Sequence, residues 1–165
     1  MNFKKEYYFV IVIFFIVILG FFLTNYNSST KKITENNIKS VKVEDNSIKF
    51  VKIGGQTLKV DLALTPNTQE QGLSGRKSLA NDEGMLFIFP QPGKYFFWMK
   101  DMNFPIDMIW IGEDQKIIYI KKDVLPESFP KTYGPQKNSK YILEVNANFC
   151  EKNNLKENDS VEFLR

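Results

Sequence analysis

Two carboxylates that break an apolar strand pattern are the side chains of this 165-residue chain best suited to chemistry. In Ile106–Ile111 (IDMIWI) strand alternation puts Asp107 on the face of Ile109 and Ile111. In Tyr141–Val145 (YILEV) Glu144 shares a face with Ile142. A carboxylate on an apolar face is costly to bury unless it is paired or hydrogen-bonded, so each marks a polar network or a site. Trp98 and Lys100, expected on one face of a strand, add a stacking surface and a cation, and Arg76 adds a second cation. With both carboxylates held ionised by Lys100 and Arg76, the set is suited to hydrogen-bonding a small polar ligand stacked on Trp98. The alternative is a hydrolase in which Asp107 and Glu144 act as acid and base, about 5–9.5 Å apart as in glycosidases. Such a pair needs environments that push the two pKa values apart, and nothing in the neighbouring sequence does so. Non-catalytic binding is therefore the expectation. Each residue also has a structural reading. Asp107 follows Pro105 and suits the capping of backbone amides at a strand entrance. Glu144 suits an ion pair with Lys100 or Arg76, and Trp98 suits the core.

Composition removes several classes of chemistry. The chain has no histidine, which excludes Ser-His-Asp and Cys-His catalysis and the usual zinc and non-haem iron ligand sets. Cys150, the single cysteine, forms no internal disulfide. Met85, Met99, Met102 and Met108 carry thioethers of the kind that bind Cu(I), but most lie in apolar runs where methionine fills core gaps. No metal and no cofactor is expected. Without Lys4, Lys5 and Glu6, the 22 basic and 19 acidic side chains of the whole chain fall to 20 and 18. That near-neutral remainder gives no argument for nucleic acid, which calls for clustered positive charge.

The elements that must position these residues read as mainly β. Ile48 to Ile53, Gly54-Gly55 and the alternating Leu58, Val60, Leu62 and Leu64 predict a hairpin. Thr65-Pro66 predicts a helix start and Gly72 its end. Strands are expected at Met85–Phe89, Lys94–Lys100, Ile106–Ile111 and Lys116–Ile120, in an antiparallel meander, with further strands at Tyr141–Val145 and Val161–Leu164. Val124–Asn138, with Pro126, Pro130 and Pro135, reads as a long loop of the kind that often carries function, and Phe149–Leu155 as a short polar helix. The fold class is α+β, mainly antiparallel: a small sheet or partly closed barrel with one or two short helices.

Before this domain stands an apolar run of seventeen residues, Tyr7–Leu23. As a helix it is about 25 Å long, close to the thickness of the hydrocarbon layer of a bilayer. It exceeds the apolar region of a cleavable signal peptide, and no small-x-small pair follows it, so it reads as an uncleaved single-pass anchor. A six-residue tail before it and a large domain after it favour export of the domain, although Lys31 and Lys32 partly balance Lys4 and Lys5. The expected organisation is a tail at 1–6, a transmembrane anchor at 7–23, a flexible linker at 24–46 and the domain at 47–165.

The ordered motifs Glu70-Gln71-Gly72-Leu73, Arg76, Leu79, GMLFIF (Gly84–Phe89), Trp98-Met99-Lys100 and Pro105-Ile106-Asp107-Met108, followed by Pro126, Tyr133 and Tyr141–Glu144, resemble the domain of unknown function 192 family. The resemblance covers roughly residues 47–165. It implies a small β-rich α+β domain, typically behind a signal peptide or membrane anchor, with no agreed activity. Asp101-Met102 replaces the family's usual Asn-Thr beside Lys100; Asn148 and Asn158 stand where glycine is usual, and asparagine tolerates the same positive φ. The candidate ligand-binding set is Arg76, Trp98, Lys100, Asp107, Tyr133 and Glu144, with no catalytic residue. The expected role is binding of a small polar ligand, glycan or peptide outside the cytoplasm, at the cell membrane. Besides the hydrolase, the rival is a structural envelope protein with no ligand.

Overall fold

A computed structural model describes residues 47–165 of the chain. The segment Tyr7–Leu23 and the linker, on which the anchor rests, lie outside the described residues. No helix among the described residues is long and apolar enough to cross a membrane.

Strand β1 (Phe50–Ile53) and β2 (Gln56–Ala63) form the expected hairpin. Gly54 and Gly55 turn it with φ of +56° and +77°, values that glycine adopts at no steric cost. Helix α1 (Pro66–Gln71) follows, closed by a reciprocal cap. The Thr68 amide donates to Thr65 Oγ1 at 3.2 Å and the Thr65 amide to Thr68 Oγ1 at 3.0 Å. Then come β3 (Glu83–Gly93), β4 (Ile106–Ile111), β5 (Ile117–Val124), a single 3-10 turn (Pro126–Ser128), β6 (Ser139–Asn146), helix α2 (Phe149–Lys152) and β7 (Val161–Leu164).

These strands make one seven-stranded sheet in the order β5-β4-β6-β3-β2-β1-β7, and it is not the expected meander. The chain crosses over a sheet face through α1 and the following loop, which sets β3 parallel to β2. Strand β6 then inserts between β3 and β4, antiparallel to both. A second correction concerns Lys94–Lys100, which is not a strand; its only ladder contact is a bridge from Phe97 to Tyr133. Its Tyr95 and Phe97 side chains pack on the sheet face instead of extending the sheet.

The sheet curls into a half-barrel. Its two edges meet at one end, where the Ile117 amide donates to the Asp159 carbonyl at 2.9 Å and the Val161 amide to the Gln115 carbonyl at 2.8 Å. The concave face holds Val51, Ile53, Leu58, Leu86, Ile109, Leu143 and Val161, closed by Cys150 of α2. The opposite face holds Phe87, Met108, Trp110 and Ile142, covered by Leu73, Leu79 and Met99 from the loops after α1 and β3. Both faces of β4 are therefore covered, and all six of its residues are buried. Each of its three isoleucines stabilises the fold by about 1.5–3 kcal/mol relative to exposure.

Candidate functional site

The loop after β3 begins at Lys94 and lies across the loop-covered sheet face instead of pairing into it. Trp110 Nε1 donates to the Tyr95 carbonyl at 2.9 Å, and Phe97 and Tyr133 exchange two backbone hydrogen bonds of 2.8 Å. Ser74 Oγ donates to the Lys100 carbonyl at 2.7 Å, tying this loop to the one after α1. Between the two loops a cavity of about 260 Å³ opens. Its walls are Phe87 and Phe89 from β3 and Tyr95, Phe96, Phe97 and Trp98 from the loop; the end of α1 and Gly72 to Ser74 close one side. Phe87 meets Phe97 edge-on at 4.8 Å between centroids, and Phe89 stacks on Tyr95 at 3.5 Å.

Glu144 of β6 lines this cavity at the sheet. Register places it opposite Met85 of β3 and Met108 of β4, on the face of Ile142. Only 4 % of it is exposed; among the described residues its carboxylate receives no hydrogen bond, and the ion pairs Lys52–Glu162, Arg76–Asp61 and Lys140–Glu113 do not include it. Burial pushes its pKa up from 4.5 to about 8, against the opposing pull of the Arg76 guanidinium. This corrects the expectation that Lys100 and Arg76 hold both carboxylates ionised. Gly72 sits directly above: at φ +49°, a Cβ added there would lie 3.3 Å from Phe87 Cζ and 3.9 Å from Glu144 Oε2.

Only Trp98 and Glu144 of the six candidates come together at this cavity. Trp98 is 45 % exposed at its rim, against Phe129 at 5.9 Å, and is not core. Asp107 points to the opposite face of the sheet. It is fully buried, with Oδ2 accepting from the Cys150 amide and Oδ1 from the Asp123 amide, both at 2.8 Å. It serves the backbone, as its structural reading has it, and forms no pair with Glu144. Arg76 bonds Asp61 at 2.8 Å on the surface and reaches Glu144 only through its field. Lys100 does not line the cavity; it lines an adjoining depression with Asn67, Gly75 and Asp101, which shares Glu70, Gln71 and Ser74 with the cavity. Tyr133 packs beside this face, with Lys121 and Lys131 Nζ at 5.5 and 5.3 Å from its ring centroid.

Sequence reasoning misses Gly72, Phe87, Phe89 and the run Tyr95-Phe96-Phe97 as parts of a site. The signal for the last is present: four consecutive aromatics just after a Pro-Gly turn exceed what one strand face can bury. Cys150 adds no chemistry here, since burial and the Asp107 carboxylate push its thiol pKa upward. Among the described residues no group of three or more metal-ligating side chains converges.

The family model DUF192, described as "Uncharacterized ACR", matches residues 49–163. The chain is similar to a protein of unknown function from Novosphingobium aromaticivorans, at 28 % identity and a TM-score of 0.66, covering 70 % of this chain and 84 % of that one. It is also similar to a protein from Sinorhizobium meliloti described as a "putative transcription regulator", at 33 % identity and a TM-score of 0.65, covering 69 % of this chain and 92 % of the other. No curated protein matches the chain.

Proposed function

The chain belongs to the DUF192 family, and from that starting point we propose that residues 47–165 form a non-catalytic ligand-binding domain, tethered by Tyr7–Leu23 to the outer side of the cell membrane. The observation that carries the binding reading is Glu144, a carboxylate without a donor at the base of an aromatic cavity. A group buried at such cost, with no internal partner, suits a partner supplied by a ligand. At about 260 Å³ the cavity suits one small group, such as a sugar ring or a side-chain end, more than an extended polymer. The hydrolase alternative built on Asp107 and Glu144 loses support, because Asp107 faces away and is engaged with two amides.

The test uses the full-length chain in dodecyl maltoside micelles. Amino sugars, N-acetylated sugars and short peptides are titrated while tryptophan fluorescence is followed. The expected result is a saturable change with one class, lost in Trp98→Ala. A folded protein whose fluorescence none of the three perturbs would favour the structural envelope role. A bell-shaped pH–rate profile on any of these compounds, abolished by Glu144→Gln, would restore the hydrolase. The tether is checked separately. Membranes washed in carbonate should retain the chain, and protease added outside cells should remove the domain.

A further inference from the structure

The cavity over Glu144 is unequal in what it offers a ligand. Its polar donors are largely spent on the protein's own carbonyls. Gln69 Nε2 donates to Ala63 and Ile88 carbonyls at 3.3 and 2.9 Å, the Tyr95 hydroxyl to Gln91 at 2.6 Å, and the Ser74 hydroxyl to Lys100 at 2.7 Å. No lysine or arginine lines it, whereas two carboxylates do, Glu144 at the sheet and Glu70 from α1. Most of the remaining wall residues are aromatic, Phe87, Phe89, Tyr95, Phe96, Phe97 and Trp98, and an aromatic ring carries negative quadrupole density on its face. Acceptors and π faces without free cations repel an anion, give a neutral polyol few donors to accept from, and stabilise a cation.

We infer that this cavity binds an organic cation, an alkylammonium group carried on a small molecule or side-chain end, with Glu144 as its counter-ion and the rim ring of Trp98 as a cation–π partner. The inference rests on the ligand-binding reading and narrows it to one charge class. It carries a proton with it. In the empty cavity at neutral pH the Glu144 carboxyl is largely protonated, because its pKa lies near 8. An entering cation stabilises the carboxylate, so the Glu144 proton leaves to solvent as the ammonium arrives. The charged groups around Glu144 do not supply this balance themselves. Arg76 is already bonded to Asp61, Glu70 offers no positive charge, burial raises the pKa of the Tyr95 phenol, and the facing Met85 and Met108 carry no charge.

The experiment titrates the full-length chain in dodecyl maltoside with tetramethylammonium, which has no titratable proton, at constant ionic strength and pH 6, 7, 8 and 9. tert-Butanol and pivalate serve as neutral and anionic probes of similar shape. Saturable binding of tetramethylammonium is expected, with Kd falling about tenfold per pH unit below pH 8 and levelling by pH 9. Glu144→Gln should weaken binding at pH 9 by at least about tenfold and abolish the slope. Trp98→Ala should weaken it severalfold and keep the slope. Preference for tert-butanol or pivalate, or a pH-independent Kd in the unsubstituted protein, would overturn the cation while leaving a ligand-binding cavity intact. Absence of tetramethylammonium binding at pH 9, where Glu144 is ionised, would also overturn it. The titrations with sugars and peptides then judge the broader reading on their own.

Discussion

Asp107 and Glu144 lie one register step apart on neighbouring strands, Asp107 opposite Val145 and Glu144 opposite Met108, yet that step sends them to opposite faces. Asp107 finds two amides at 2.8 Å; Glu144 finds none. The raised pKa of Glu144 has a consequence for stability. The folded pKa near 8 stands above the unfolded value of 4.5, so the folded state holds a proton that the unfolded state releases. Stability tied to this carboxyl is therefore fully present below pH 4.5, is lost as pH rises through 8, and is flat beyond. A tenfold difference in proton affinity corresponds to about 1.4 kcal/mol, so the loss is on the order of a few kcal/mol. Glu144→Gln should leave stability near pH 4 almost unchanged and raise it by a few kcal/mol at pH 9. Thermal unfolding followed by near-UV circular dichroism at both pH values reads this directly; equal destabilisation at both would mean that the side chain is needed for packing.

Among the elements, α2 depends most on a distant residue. It has four residues, and its N-cap Asn148 sits at φ +70° and offers no side-chain cap. The Asp107 carboxylate takes that role from β4 by accepting from Cys150, while its other oxygen satisfies an amide freed where β5 bulges between Lys121 and Val124. Asp107→Ala should cost about 1–3 kcal/mol by leaving buried donors unpaired, and Asp107→Asn less, since one acceptor remains. Urea unfolding gives the magnitude. Faster amide exchange at Cys150 and Asp123 in the alanine variant would locate the effect, and unchanged exchange there would refute the capping role. How far such features can be read from sequence depends on their range. The Gly54-Gly55 hairpin, the Thr65-Pro66 cap, the stop at Gly72 and strands β3, β4, β6 and β7 are written in local turn chemistry and alternation. Strand order is not, because alternation shows that a strand has a buried face without naming its partner. Lys94–Lys100 misleads for the same reason: Phe97 packs against Phe87 and Trp110 from a loop, and an apolar pattern alone does not separate that from a strand. Glu144 and Trp98 are visible in the sequence as anomalies. Their shared cavity is not, since it joins α1, β3, β6 and a loop distant in sequence.

At the scale of the whole domain, the connections after β2 and β3 line the cavity, while the β1–β7 side carries both ends of the described residues. Strand β1 lies between β2 and β7, and the Lys49 amide donates to the Leu164 carbonyl at 2.8 Å. The first and last strands thus run antiparallel side by side, far in sequence from the exposed turn Glu113–Gln115 between β4 and β5. Joining residue 165 to residue 47 with a short glycine-serine linker and opening the chain at that turn should preserve the fold, because no ladder is cut and the new loop closes over a short gap. Near-UV circular dichroism and the Glu144-linked pH profile of the permuted chain would check it, and loss of either would show that the order of the strands along the chain matters to folding. The neighbouring ends make the domain a nearly closed ring of sequence. A new attachment fused at the opened turn would hold the domain from another point of that ring without altering any residue that lines the cavity.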